Sequence, residues 1–189
     1  MNPAIIRVRP LVLAAAIVGF LSLVGCSTTN EARQDTPAPW DTIGTVAILE
    51  FENLTDQPNA SQAVTSILRA EMQGRGISLV PESTVSALAA RKIDVVELAR
   101  KNQFDTIAAT VKADHLLVGR VTEYHYRHGL TEQSVVGFTI QAISLKSGKP
   151  VWAATYADRG AASFTGGESL TEVTRRICRQ VAGHLATAK

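Results

Sequence analysis

Three apolar, β-branched runs follow one another in the second half of this chain, and only a fold built on a sheet accommodates them. They span His115 to Tyr126, Val135 to Leu145 and Val151 to Ala157. Lys146-Ser147-Gly148-Lys149 joins the last two, a polar, glycine-bearing turn of the kind that closes a hairpin. A fourth run, Gly44 to Phe51, is short and apolar, as a buried strand is. A fifth, Ile77 to Val80, stops at Pro81. Glu52 to Asn59 is rich in turn formers and reads as a loop. Ala60, Ala63, Val64, Ile67, Leu68 and Met72 then recur at helical spacing until Gly74 and Gly76 end the helix. Helical pieces follow from Thr84 to Arg91, Val95 to Asn102 and Asp105 to Lys112. A Gly-rich loop from Gly160 to Gly167 leads into Ser169-Leu170-Thr171-Glu172, a capping box. The closing helix carries Leu170, Val173, Ile177, Val181 and Leu185 on one stripe. The pattern predicts an α/β fold: a single domain with a mixed sheet of about five strands, flanked by helices and closed by a C-terminal helix.

The first 43 residues stand apart from that pattern. Arg7 and Arg9 precede an apolar run from Leu11 to Val24. Its 14 residues fall short of the roughly 20 that span a bilayer. A basic start, a short apolar run and small residues before a junction make an export signal. Leu23-Val24-Gly25-Cys26-Ser27 resembles the lipobox of bacterial lipoproteins. That resemblance implies removal of residues 1–25, an S-linked diacylglycerol on Cys26 and an N-acyl group on its new amine. Ser27, rather than Asp, after the cysteine implies sorting to the outer membrane, on its periplasmic face. Residues 26–43, broken by Pro37 and Pro39, read as a lipidated, flexible tether that reaches at most about 60 Å. Residues 44–189 form the periplasmic domain. Trp40, late in the tether, is placed either in the headgroup zone or against the first strand.

Removal of the signal takes two arginines with it and leaves 17 basic and 17 acidic residues. The basic isoelectric point of the whole chain therefore belongs to the signal, and nucleic acid is not an expected partner. With Cys26 acylated, Cys178 is the one remaining thiol, so no intrachain disulfide forms in spite of an exported location.

The catalytic signatures are missing: no nucleophile elbow, no HExxH and no phosphate-cradling glycine loop occurs. His125 and His128 are separated by an odd number, which puts them on opposite faces of a strand and argues against a shared metal. Glu50, Glu52 and Asp56 gather three carboxylates around one strand end, as an acid/base pair or as a solvated loop. Arg175, Arg176 and Arg179 cluster within about 100° on the side of the closing helix away from its apolar stripe. They form either a solvated face or a contact with carboxylates of a neighbouring subunit. The chain reads as non-enzymatic, with no metal and no cofactor beyond the covalent lipid.

Four segments together resemble a known family: Thr45 to Ala60 (TVAILEFENLTDQPNA) with the helix behind it, Ala113 to Tyr124 (ADHLLVGRVTEY), Val135 to Tyr156, and the final amphipathic helix. They are similar to the small periplasmic lipoproteins related to the curli secretion channel CsgG, the cell-wall-synthase activator LpoB and the Pel polysaccharide lipoprotein PelC. The chain has no spare segment for the transmembrane hairpins of a CsgG-like pore, and its short tether does not suit an LpoB-like activator of a peptidoglycan synthase. The PelC-like branch implies a homo-oligomeric ring, a dodecamer in that family, at the inner leaflet of the outer membrane. Such a ring guides a cationic exopolysaccharide of the biofilm matrix to a PelB-like export porin. An LpoB-like activator or a CsgG-related component of another secretion system is the alternative. The resemblance also implies a membrane-facing aromatic in the Gly-flanked loop, here Phe164. Trp152 is a second candidate for that contact, or a core residue.

Overall fold

The computed structural model describes residues 33–34, 43–90, 95–129, 131–161 and 167–186. Their elements in chain order are β1 (Arg33–Gln34), β2 (Val46–Ile48), β3 (Glu52–Asn53), α1 (Ala60–Gly74), α2 (Glu82–Ala90), α3 (Val95–Arg100), α4 (Phe104–Val111), β4 (His115–Arg127), β5 (Gln133–Ser144), β6 (Lys149–Arg159) and α5 (Leu170–Ala186). All six strands form one mixed sheet in the order β1-β6-β5-β4-β2, with β3 also on β4. β2 and β3 run parallel to β4, whereas β4, β5, β6 and β1 are successively antiparallel.

Burial along β6 alternates strictly. Trp152, Ala154, Tyr156 and Asp158 are buried, while Ala153, Thr155, Ala157 and Arg159 are exposed. A two-residue period of this kind gives the sheet one packed and one solvated face. The packed face is closed by α1 and α5, whose buried stripes include Val64, Leu68 and Met72 on α1 and Val173, Ile177 and Val181 on α5. An aromatic row crosses it: Phe51 and Phe138 lie 5.9 Å apart, Phe138 and Tyr156 6.0 Å, and Tyr156 stacks on His184 at 6.2 Å. The row fits because Gly119 has no side chain; a Cβ there would stand 2.6 Å from the Phe51 ring. Among the described residues, the other face is covered at the end near the β5–β6 turn. There Leu116, Ile143 and Leu145 pack on Phe104, Ile107 and Val111 of α4 and on Val95 of α3.

The capping box forms as expected. Ser169 N–H donates to the Glu172 carboxylate at 2.8 Å, and Glu172 N–H donates back to Ser169 Oγ at 3.2 Å. Cys178 is fully buried beside Val64, and burial pushes its thiol pKa up. Three features depart from the sequence reading. Ile77 to Val80 makes one parallel bridge, Leu79 to Val46, rather than a strand of its own. Glu52–Asn53, assigned to a loop, pairs with Arg120 and Val121. Most consequential, the tether is not free throughout: Arg33 and Gln34 pair antiparallel with Thr155 and Ala154 on the outer edge of β6. A residue pair this polar has no strand signature, and the long-range edge that receives it is invisible to local pattern.

Candidate functional site

On the solvated face the register sets a polar rung across the sheet. Glu52 pairs with Arg120, Arg120 with Thr139, and Thr139 with Thr155. Register partners share a face, so these four side chains stand side by side. The Arg120 guanidinium closes on the Glu52 carboxylate at 2.9 Å. The rung crosses a cavity of about 610 Å³ whose floor includes Val118 and Ile143 and whose wall is α3, through Val96 and Arg100. Val96 is 40% exposed. Glu50 also lines this cavity and accepts a hydrogen bond from Ser61 Oγ at 2.9 Å. Asp56 is exposed in the loop that follows β3. Of the three carboxylates, Glu50 and Glu52 thus line one cavity, Glu52 paired with Arg120 and Glu50 accepting from a hydroxyl, while Asp56 stands in the exposed loop.

The arginines of α5 part company as well. Arg175 is exposed. Arg179 reaches Glu71 of α1 at 3.5 Å and is 60% exposed. Arg176, expected on a solvated or intersubunit face, instead binds three groups of its own chain. Its Nε donates to Asp158 at 2.6 Å, its Nη1 to Glu168, and its Nη2 to the Arg159 carbonyl at 3.2 Å. The reason lies in β6, where Asp158 falls at a core-facing position and is only 7% exposed. A buried carboxylate left without a cation is costly. The same guanidinium holds the Glu168 carboxyl below the usual carboxylate range, and both carboxylates hold the Arg176 pKa up.

Around this arginine the neck of the Gly-rich loop is drawn shut. Ser134 Oγ donates to the Glu168 carbonyl at 2.6 Å, Gln133 donates to the Gly160 carbonyl at 2.9 Å, and Gly160 N–H donates to the Ser134 carbonyl at 2.8 Å. A Cβ at Gly160 would lie 2.2 Å from Ser134 Oγ, so no larger residue fits the neck.

Trp152 is not a surface aromatic. It is 2% exposed in the core under α1 and α5, and its indole N–H has no hydrogen-bond partner among the described residues. The alternation of β6 places it there together with Ala154 and Tyr156, which removes it from the membrane-contact set. Cys26, Trp40 and Phe164 lie outside the described residues. No group of three or more metal-ligating side chains occurs among the described residues, and no helix there is long and apolar enough to cross a membrane. Burial pushes the Tyr156 phenol up to about 12, and its hydroxyl shares a hydrogen bond with His184 Nδ1 at 2.8 Å.

Solved structures share this fold. The PelC dodecamer from Paraburkholderia phytofirmans is 23% identical with a TM-score of 0.57, over 82% of this chain and 96% of that one. The lipoprotein GNA1162 from Neisseria meningitidis is 15% identical with a TM-score of 0.58, over 74% and 98%. The hypothetical protein CT253 from Chlamydia trachomatis is 13% identical with a TM-score of 0.51, over 77% and 99%. At these identities the likeness is one of fold. No protein-family model and no curated protein matches the chain.

Proposed function

We propose that this chain is a non-enzymatic lipoprotein, anchored through acylated Cys26 to the periplasmic face of the outer membrane, that assembles into a ring and guides a cationic exopolysaccharide toward an export porin. The observation that carries this reading is the fold shared over 82% of the chain with a protein solved as a dodecamer. Its surface chemistry supports it. A ring requires a head-to-tail interface made of two different patches on each subunit. This domain has two of unlike charge on different layers: Arg175 and Arg179 on the outer side of α5, and Glu50 at the open-face cavity with Asp56 in the exposed loop after β3. Two or more acyl chains on Cys26 hold such a domain stably, where one chain would hold it only marginally. Acidic side chains around a central opening attract a cationic polymer through their summed field rather than by tight binding.

Native mass spectrometry of the mature lipoprotein released from membranes in detergent tests the reading. One closed, high-order oligomer is the expected species, and Arg175→Glu with Arg179→Glu disperses it. A protein that stays monomeric at high concentration overturns the ring.

A further inference from the structure

The open-face cavity is a trough that runs across the strands rather than along them. Its polar rung takes one side chain from each of four strands: Glu52 from β3, Arg120 from β4, Thr139 from β5 and Thr155 from β6. Three strand spacings of about 4.8 Å make that rung about 14 Å long. Two residues along the strands, about 7 Å away, lies a second rung of Val118, Gln141 and Ala153. Ile143 and the α3 residues Val96 and Ala99 also line the cavity. The trough therefore has a hydrogen-bonding side and an apolar side. Threonine and alanine at 139, 153 and 155 keep its floor low.

The chemistry of the lining narrows what it can hold. Its charged side chains are Glu50, Glu52, Arg100 and Arg120, and their charges cancel, which does not suit a phosphate or another strong anion. The Glu52–Arg120 pair stays accessible, with side chains 48% and 65% exposed. A carboxylate has about four acceptor sites and a guanidinium five donors, so one mutual contact leaves most of them for a ligand. Gln141, half-buried on the second rung, adds a donor and an acceptor in one plane. Planar groups of this kind each pair with two neighbouring hydroxyls. A pyranose chain presents hydroxyls along its edges and carbon-bound hydrogens on its faces, and each ring is close to one strand spacing in length.

We infer that the trough is a carbohydrate subsite, which takes a run of about three pyranose units laid across β4, β5 and β6 with an amino group at Glu52. Arg120 and Gln141 hold hydroxyls, and Val118 and Ala153 meet the apolar ring faces. The inference rests on the polysaccharide-guiding reading and names the part of each subunit that the polymer touches. Contacts of this kind are shallow and solvated. That suits a polymer in transit, which must bind well enough to enter and loosely enough to leave.

Saturation-transfer NMR on the mature lipoprotein in deuterated detergent tests the subsite with two probes, fully deacetylated chitotetraose and neutral cellotetraose. The amino sugar should bind with a dissociation constant on the order of 1 mM, and cellotetraose more weakly. Glu52→Gln removes the acid and keeps its shape. It should weaken the amino sugar about tenfold and leave cellotetraose unchanged, whereas Gln141→Leu should weaken both. Both substitutions lie on the open face, so melting temperatures should match the parent protein. No saturable binding of either probe overturns the subsite while the ring stands. Binding that neither substitution alters also overturns it, because the sugar then sits elsewhere. A ring that either substitution disperses in native mass spectrometry overturns it too and assigns the trough to a neighbouring copy. A monomer that binds chitotetraose through Glu52 and Gln141 supports the subsite and overturns the ring.

Discussion

The two faces of the sheet are built from the same three long strands and finished in opposite ways. The face under α1 and α5 carries Phe138, Ile140, Trp152 and Tyr156, fully covered. The other face carries Thr139, Gln141, Ala153, Thr155 and Ala157, and a cavity opens over it beside α3. Neighbouring residues in one strand thus serve different ends. One set supplies the apolar burial that holds the domain together. The other leaves small and polar groups where a larger side chain would have demanded a cover. Stability is concentrated on one side, and the surface free to meet another molecule on the other.

The sharpest way to break this contrast is a pair of adjacent substitutions in β5. Phe138→Ala opens a cavity in the aromatic row and should cost about 3–5 kcal/mol, while Thr139→Ala on the open face should change stability by less than about 0.5 kcal/mol. Urea unfolding of both variants decides it; similar midpoints would mean that the faces are not energetically distinct. Next in size, Gly119→Ala forces a methyl group into the Phe51 ring and should cost about 1–3 kcal/mol through overpacking, read as a lowered melting temperature. The smallest effect tests the charged neck at the edge of the packed face. Glu168 has a lowered pKa in the folded state, mainly from its hydrogen bond to Arg176, so its contribution is present above the ordinary glutamate value of about 4.3 and is lost as pH falls below it. Partly exposed, it contributes under about 1 kcal/mol. The acid-side drop in melting temperature should shrink in Arg176→Gln, and an unchanged drop would remove Glu168 from the account.

Local signals in the chain are legible and long-range ones are not, for a physical reason. The closing helix announces itself through a capping box and a stripe within 17 residues, and both appear as expected. The strand runs of β4, β5 and β6 are equally local. Of the two readings of Trp152, the core one follows from the alternation it shares with Ala154 and Tyr156. Asp158 continues that alternation inward, and an acid at a core-facing position calls for a cation, which is the signal in the sequence that draws Arg176 off the surface. Nothing comparable marks Arg33–Gln34, whose pairing depends on an edge 120 residues away, or Glu52–Asn53, whose partner strand follows four helices.

A single irregularity in β4 has a reach beyond its size. The pairing with β5 slips between Val121 and Glu123, leaving Thr122 without an opposite number. Before it, even-numbered residues such as Val118 and Arg120 look onto the open cavity. After it, Tyr124 and Tyr126 share the side of Val136 and Ser134. The strand is thus read in two frames of sequence, which meet at one unpaired residue, while the pairing with β5 continues on either side of it. Deleting Thr122 would remove the extra residue and leave Tyr124 opposite Val136 and Tyr126 opposite Ser134, because the bulge absorbs one residue of sequence without changing a single partner across the strands.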